Sequence, residues 1–141
     1  MGFNNYTIKI DNIWGGEGYL GANVIAPDID TPLRMINIYG PYHNRKGFCD
    51  KLINSTFMQN DKLIIGGDLT FSLCHAETWG NRSHTNPLTT YFEYLMDSNN
   101  LLNIDSAKIL PIWRNKRIGE DALAQRLGHF MIKEPLLAKL D

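Results

Sequence analysis

The chain contains few cysteines, with only Cys49 and Cys74 among its 141 residues. Two cysteines cannot build the disulfide framework of a small secreted domain. They show neither CxxC spacing nor a histidine pairing of the zinc-binding kind, so the sequence also excludes a compact zinc site. We expect both thiols to be reduced and buried.

Long apolar runs are absent as well. No uncharged stretch approaches the roughly 20 residues of a membrane-spanning helix, and residues Met1 to Asp11 have no apolar core of signal-peptide length. We therefore expect a nuclear or cytoplasmic protein that is not secreted and has no membrane partner. The sequons at Asn5, Asn54 and Asn81 should then stay unmodified, because glycosylation needs the secretory route.

The chain carries almost no net charge, with 14 basic and 15 acidic residues. This balance excludes a globally polycationic nucleic-acid binder. The distribution is uneven, because residues 108–133 carry six basic side chains against Glu120 and Asp121. The basic ones are Lys108, Arg114, Lys116, Arg117, Arg126 and Lys133. One end of the chain is therefore locally basic.

Length and a hydrophobic content of 43% predict a single domain over residues 1–141. Strand-like segments dominate the first part of the chain. They are Tyr6–Ile10, Gly21–Ala26 and Leu33–Tyr39. Gly-rich and Pro-rich turn chemistry separates them at Trp14–Gly18 and Pro27–Pro32.

Helical spacing first appears over Lys46–Met58, and a short strand, Lys62–Ile65, then ends at Gly66-Gly67-Asp68. A second helix is predicted from Asn86-Pro87, where Asn caps and Pro opens the helix. Its buried face should be Leu88, Tyr91, Phe92, Leu95 and Met96. Further along we expect an apolar stretch at Leu101–Ile104, a helix at Ala122–Leu127, a buried strand at His129–Ile132 and a last helix at Glu134–Leu140. Interleaved strands and helices favour an α/β or layered α+β fold.

Two strand ends carry an ordered pair of motifs, Ile38-Tyr39-Gly40-Pro41 and then Ile64-Ile65-Gly66-Gly67-Asp68-Leu69. The pair resembles the endonuclease/exonuclease/phosphatase family. Over residues 36–137 the chain is similar to the endonuclease domain of plant non-LTR (LINE-type) retrotransposon polyproteins. Four downstream segments add to the likeness. They are Glu77-Thr78-Trp79-Gly80, Asn86-Pro87-Leu88-Thr89, Pro111-Ile112-Trp113-Arg114-Asn115 and Arg126-Leu127-Gly128-His129-Phe130.

The resemblance implies a DNase I-like fold, here a partial two-sheet β-sandwich flanked by helices, and Mg²⁺-dependent cleavage of nucleic-acid phosphodiesters. It gives Asp68 the role of orienting or activating the attacking water and puts Tyr39 beside the scissile phosphate. Capping of a turn by Asp68 and simple edge packing of Tyr39 are the structural alternatives. Thr70 stands where the family has Asn, and a hydroxyl lacks the second donor of an amide.

Further departures from the family pattern remove catalytic groups. Gly128 replaces an aspartate, and His129 replaces an arginine; we expect His129 to be a half-buried strand residue with a hydrogen-bonded ring nitrogen. No metal-binding Glu in its family context is found in residues 1–35, where Glu17 lies in a Gly-rich turn. The segment with the general-base His would lie beyond Asp141. The sequence therefore predicts an endonuclease remnant with little or no activity alone, and binding of Mg²⁺ by this chain is in doubt.

The same resemblance makes DNA the expected partner and assigns it a basic segment. The proposed contacts are Trp113, Arg114, Asn115, Lys116, Arg117 and Arg126. The alternative is a solvated turn with Trp113 buried in the core. A non-catalytic nucleic-acid-binding or partner-binding module, and a hydrolase completed by another chain, are the competing functions. We also expect self-association through exposed sheet edges.

Overall fold

A computed structural model describes residues 8–27, 29–80, 87–105 and 108–140 of the protein. Within these residues, nine strands form one six-stranded and one three-stranded sheet, and three α-helices accompany them. The six-stranded sheet has the order β1-β2-β3-β4-β9-β6. Its strands are β1 (Lys9–Gly16), β2 (Tyr19–Ile25), β3 (Leu33–Tyr39), β4 (Leu63–Asp68), β9 (Gly128–Lys133) and β6 (Leu101–Asn103). The expected mixed α/β class with two sheets is confirmed.

The first hairpin is longer than the sequence predicted. Trp14 was assigned to a turn, yet it belongs to β1 and pairs with Gly21 of β2. A side chain at Gly21 would place its Cβ 2.5 Å from the Trp14 ring, so glycine here makes room for the indole. The actual turn is Glu17-Gly18, with Gly18 at φ +76°. Of the predicted strand Tyr6–Ile10, residues 6 and 7 lie outside the described residues.

β3 and β4 run parallel, and the crossover between them carries α1 (Arg45–Ile53) followed by a 3₁₀ turn at Thr56–Gln59. The predicted single helix to Met58 is thus interrupted. Asn54 and Ser55 donate side-chain hydrogen bonds to carbonyls four residues back, which competes with continued helix. Phe57 is nevertheless buried, because the 3₁₀ turn returns it to the core.

α2 (Leu88–Ser98) packs on the same side of the sheet, with Phe92 and Leu95 buried as expected. Asn86, its proposed cap, lies outside the described residues. Cys49 is buried in this core, and burial raises the pKa of its thiol to about 11. Cys74 is exposed, so the expectation of two buried thiols was wrong for Cys74.

The three-stranded sheet has the order β5-β8-β7, with β5 (Thr78–Gly80), β8 (Leu123–Gln125) and β7 (Trp113–Arg114). The helix predicted over Ala122–Leu127 was wrong. β8 pairs on both sides, with β5 and with β7, and these two ladders outweigh the helical propensity of an Ala-Leu-Ala segment. β9 and α3 (Glu134–Leu140) are confirmed where they were predicted.

The two faces of the main sheet differ in their covering. One face packs against α1 and α2, whereas α3 covers only one end of the other face through Leu136. Apolar side chains remain exposed over the rest of that second face, which we call the open face. It includes Ile13, Leu20, Met35 and Phe130. No helix in the described part of the chain is long and apolar enough to cross a membrane.

Candidate active-site edge and basic groove

Three neighbouring strands bring Tyr39, Asp68 and Gly128 into one row at the edge of the main sheet. Tyr39 ends β3 and pairs with Asp68, which ends β4; Asp68 pairs in turn with Gly128, which begins β9. The sequence placed Asp68 at a strand's carboxyl edge, and this position is confirmed. The edge of an open α/β sheet is where such folds build their sites.

Glycines allow the backbone to close tightly around Asp68. Gly67 has φ +135°, and a Cβ there would lie 2.0 Å from the Ile38 carbonyl oxygen. The Gly40 N–H donates to the Asp68 carbonyl at 2.6 Å, and the Leu69 N–H donates to the Leu127 carbonyl at 3.0 Å. These bonds fix the loop after β3, the end of β4 and the start of β9 together.

The Asp68 carboxylate forms a local turn with Thr70. Its Oδ1 accepts a hydrogen bond from the Thr70 N–H at 2.7 Å. Thr70 has φ 63°, a left-handed conformation that strains a β-branched residue. Its side chain is buried, and its hydroxyl donates to the Pro41 carbonyl at 2.9 Å. Thr70 therefore supports the turn, and its hydroxyl hydrogen is not available to a substrate in this arrangement.

Tyr39 presents its ring to solvent, with 62% of the residue exposed. The Tyr42 hydroxyl raises the pKa of the Tyr39 phenol, mainly through a side-chain hydrogen bond, and the nearby Asp68 carboxylate adds a smaller effect in the same direction. Tyr39 and Asp68 thus face one patch of solvent, where a phenol donor and a carboxylate acceptor are both accessible.

The row ends at Gly128, which offers no side chain. A Cβ built there would lie 3.1 Å from the Ile112 Cδ1 atom, so a side chain at this position requires the end of the Ile112 side chain to shift by a few tenths of an ångström. The resemblance implies Mg²⁺, which prefers carboxylate oxygens. Among the residues that the structure describes, no group of three His, Cys, Asp or Glu side chains could hold a metal ion. Asp68 is the one carboxylate of this row, so a Mg²⁺ ion bound here would need further oxygen ligands from outside the row.

Behind the edge lies a buried ionic network centred on Glu77, which is 1% exposed. Its Oε2 accepts from the Leu73 N–H at 2.6 Å, and its Oε1 accepts from Arg126 at 3.2 Å. Arg126 also donates to Asp105 at 2.6 Å. Burial raises the pKa of Glu77, and the Leu73 N–H and Arg126 oppose this.

Arg126 is consequently an interior residue. The sequence grouped it with the basic surface, but its guanidinium is buried and paired with two carboxylates. Glu77, from the segment Glu77-Thr78-Trp79-Gly80 that adds to the family likeness, lies in the interior with Arg126.

His129 lies in the same interior, on β9, with a fully buried side chain. Its Nδ1 is 3.7 Å from Glu77 Oε1, and within the described ranges neither ring nitrogen has a hydrogen-bond partner. The expected strand position is confirmed, but the expected hydrogen-bonded ring nitrogen is not found. Burial lowers the pKa of His129 to about 4, and Arg126 adds to this effect. The imidazole is therefore neutral at physiological pH.

The basic segment around β7 borders a groove of about 510 Å³ beside the three-stranded sheet. Arg114, Lys116 and Arg117 line it together with Trp79. Trp113 faces a neighbouring depression and is 39% exposed, so the alternative of a core tryptophan was wrong. We call the groove lined by these three cations the basic groove.

Asn115 forms hydrogen bonds with the backbone of the loop that carries the cations of the basic groove. Its Oδ1 accepts from the Arg117 and Leu123 N–H groups, and its Nδ2 donates to the Asp121 carbonyl at 2.7 Å. Lys116 follows at φ 58°, which turns the chain sharply between the two arginines. Asn115 was proposed as a nucleic-acid contact, but its amide is occupied by the loop that positions the cations.

Comparison with solved structures gives a likeness of fold. No protein-family model matches the chain, and no curated protein matches it. Among solved structures, the endonuclease domain of TRAS1, a telomere-specific non-LTR retrotransposon, superimposes with a TM-score of 0.67 at 11% identity. The fold resembles a retrotransposon endonuclease domain. The match covers 96% of this chain and 60% of the TRAS1 chain, so the protein spans well under two thirds of that domain.

The sequence-derived site therefore separates into three parts. Tyr39 and Asp68 lie side by side at the edge, and Arg114, Lys116 and Arg117 share the basic groove. The other proposed site residues have different positions. Thr70, Asn115 and Arg126 are engaged in hydrogen bonds within the fold.

Proposed function

We propose that the protein is a remnant of a phosphodiester-cleaving endonuclease domain of a retrotransposon, with little or no catalytic activity alone. The observation that carries this proposal is the row Tyr39, Asp68 and Gly128 across three paired strands. It keeps the carboxylate and the tyrosine of such a centre, and it has a glycine where the resembling family has a second carboxylate.

Phosphodiester cleavage depends on several groups that act together. It requires charge neutralisation on the phosphate, activation of water and donors to the non-bridging oxygens. Asp68 can accept a proton or orient a water, and Tyr39 can donate to a phosphate oxygen. When one member of a catalytic unit is missing, the remaining members retain only residual rate, because their effects are not additive. In the family, Mg²⁺ would supply the charge neutralisation.

Nicking of supercoiled DNA with Mg²⁺ tests this proposal. We expect the protein to nick no faster than its Asp68→Asn variant, and no faster with Mg²⁺ than with a chelator. Gly128→Asp is the third protein in the assay, because it places a carboxylate where the resembling family has one, with the end of the Ile112 side chain 3.1 Å from its Cβ. Mg²⁺-dependent nicking by the unmodified chain that Asp68→Asn abolishes would show that the activity survives.

A second function is supported by the basic groove, in which three cations border an accessible tryptophan. Arg and Lys neutralise backbone phosphates, and aromatic rings stack on bases. We infer that the basic groove binds nucleic acid in the nucleus or cytoplasm without requiring cleavage. Arg114, Lys116 and Arg117 would supply the phosphate contacts, and Trp113 or Trp79 would supply the stacking surface.

Salt-dependent binding to duplex DNA tests this second function. The double variant Arg114→Ala/Lys116→Ala should bind more weakly, and the slope of log K against log salt should fall by about one for each phosphate that the protein no longer neutralises. Lys46→Ala/Lys51→Ala removes the same charge from exposed positions of α1 and is the matched control. Equal weakening by both variants would refute a local contact at the basic groove.

A further inference from the structure

A second cationic cleft lies at the end of the main sheet opposite Asp68. Arg34 pairs with Leu63 near the starts of β3 and β4, five residues before the Tyr39–Asp68 pair. At about 3.3 Å per residue, the two ends are roughly 17 Å apart. The cleft has a volume of about 460 Å³ and is lined by Arg34, Lys62 and Lys139, with Asn23 and Asn60 between them. We call it the distal cleft.

Arg34 is held in position by an aromatic ring. Its guanidinium lies 5.7 Å from the centroid of the Trp14 ring, a cation–π distance. Its Nε is buried and, in the part of the chain that the structure describes, has no hydrogen-bond acceptor. The stacking restricts the side chain while part of its donor set stays unused. A guanidinium restrained in this way is suited to a multidentate oxyanion such as a phosphate.

Lys62 is hydrogen-bonded through its backbone to Arg34. The Arg34 N–H donates to the Lys62 carbonyl at 2.8 Å, so two of the three cations project from directly bonded backbone. The Lys62 N–H donates to Asn60 Oδ1 at 2.8 Å. Because the amide oxygen of Asn60 is engaged in this way, its amide nitrogen is the group left to donate into the distal cleft. Lys139 approaches from the separate element α3.

The charges of the distal cleft are not neutralised internally. Across residues 8–27, 29–80, 87–105 and 108–140, no carboxylate forms an ion pair with Arg34, Lys62 or Lys139. Asp61 is the acidic member of the lining. Burial lowers the pKa of Lys133, and Asp61 opposes this shift, so Asp61 interacts with a fourth cation. The distal cleft therefore keeps a positive excess.

We propose that the distal cleft binds the phosphate group of a small anionic ligand, either free phosphate or a mononucleotide. A doubly charged phosphate matches an arginine fork, two lysine point charges and amide donors converging from three elements. The volume lies in the range of about 300–1,000 Å³ that is typical of small-molecule sites. This site is separate from the edge at Asp68 and from the basic groove, and it does not depend on cleavage.

Calorimetric titration at low ionic strength with inorganic phosphate, AMP and adenosine tests the proposal. Phosphate and AMP should bind, and adenosine should not; tighter binding of AMP than of phosphate would identify the nucleotide as the better ligand. Arg34→Met keeps the apolar stem against Trp14 and should lower the affinity at least tenfold. Lys62→Met should also weaken binding, and it covers the case in which the Arg34 variant fails to fold.

Two controls make the result specific. Lys9→Met removes one exposed cation from the start of β1 and should leave the affinity unchanged. Arg114→Ala/Lys116→Ala should also retain binding, because those side chains line the basic groove. The proposal would be overturned if Arg34→Met and Lys62→Met both kept full affinity. It would also be overturned if only Arg114→Ala/Lys116→Ala lost binding, or if the unmodified protein did not bind phosphate.

Discussion

Acidification should destabilise the fold through His129, a residue remote from the solvent. Its side chain is completely buried, and burial lowers its pKa from 6.5 to about 4. In the unfolded chain the imidazole takes up a proton near pH 6.5, whereas in the folded protein it stays neutral down to about pH 4. Between these values the unfolded state binds more protons, so the free energy of unfolding falls as the pH falls.

The size of the effect follows from the two pKa values. Each unit of separation corresponds to about 1.4 kcal/mol, so the His129 contribution that disappears between pH 7 and pH 4 is about 3 kcal/mol. Glu77 acts in the opposite sense, because burial raises its pKa and the folded state then gains a proton before the unfolded state does. The net loss of stability of the whole protein should therefore be smaller than the His129 contribution.

The contribution of His129 can be isolated by urea denaturation of the unmodified protein and of His129→Leu at a series of pH values. The leucine removes the titration and two unpartnered ring nitrogens while keeping an apolar filling. The stability difference between the two proteins should widen by about 3 kcal/mol in favour of the variant from pH 7 to pH 4. Parallel curves, or a resonance assigned to His129 that titrates above pH 6 in the folded protein, would refute the reasoning.

Two further predictions concern the backbone and the open face. Gly67→Ala should lower the free energy of unfolding by about 3 kcal/mol or more, because its Cβ would lie 2.0 Å from the Ile38 carbonyl oxygen at φ +135°. Gly119→Ala, with φ +77° and no atom within 4 Å of the added Cβ, should lower it by about 1 kcal/mol. Similar losses for the two variants in urea denaturation would contradict the steric argument. Sedimentation velocity should show self-association through the open face, which Phe130→Lys should weaken. Tyr94→Lys, at a more exposed position of α2 (68% against 41% for Phe130), should leave it unchanged, and identical behaviour of the two variants would exclude the open face.

Much of the fold was predictable where one local signal dominated. β3 is rich in residues that suit a pleated sheet along Leu33–Tyr39, and α2 repeats its apolar side chains at helical spacing, so composition identifies the first and period identifies the second. β8 could not be found in this way. Leu123–Gln125 is a helix-forming triplet, and its strand conformation depends on two partners that are distant in sequence, at Thr78–Gly80 and Trp113–Arg114.

The candidate site was also predictable only in part from local sequence. The juxtaposition of Tyr39 and Asp68 was expected, because both end adjacent strands of one sheet. The interior position of Arg126 was not, since a basic residue in a basic segment is normally a surface cation. Its burial depends on Glu77, which lies 49 residues earlier in the chain. Residue type gives charge, but only the tertiary pairing decides whether that charge faces solvent.

A buried ionic cluster connects the two sheets behind the row Tyr39, Asp68 and Gly128. Glu77 lies immediately before β5, Arg126 lies between β8 and β9, and His129 lies within β9, so their buried cluster joins the three-stranded sheet to the main sheet. Breaking a buried ion pair on one side typically costs about 3–5 kcal/mol, because a charge remains uncompensated. A glycine at Gly128 removes a side chain from an accessible edge without leaving any buried partner unpaired. A substitution at Gly128 should therefore cost less stability than the loss of Glu77 or Arg126, which would leave a buried charge unpaired.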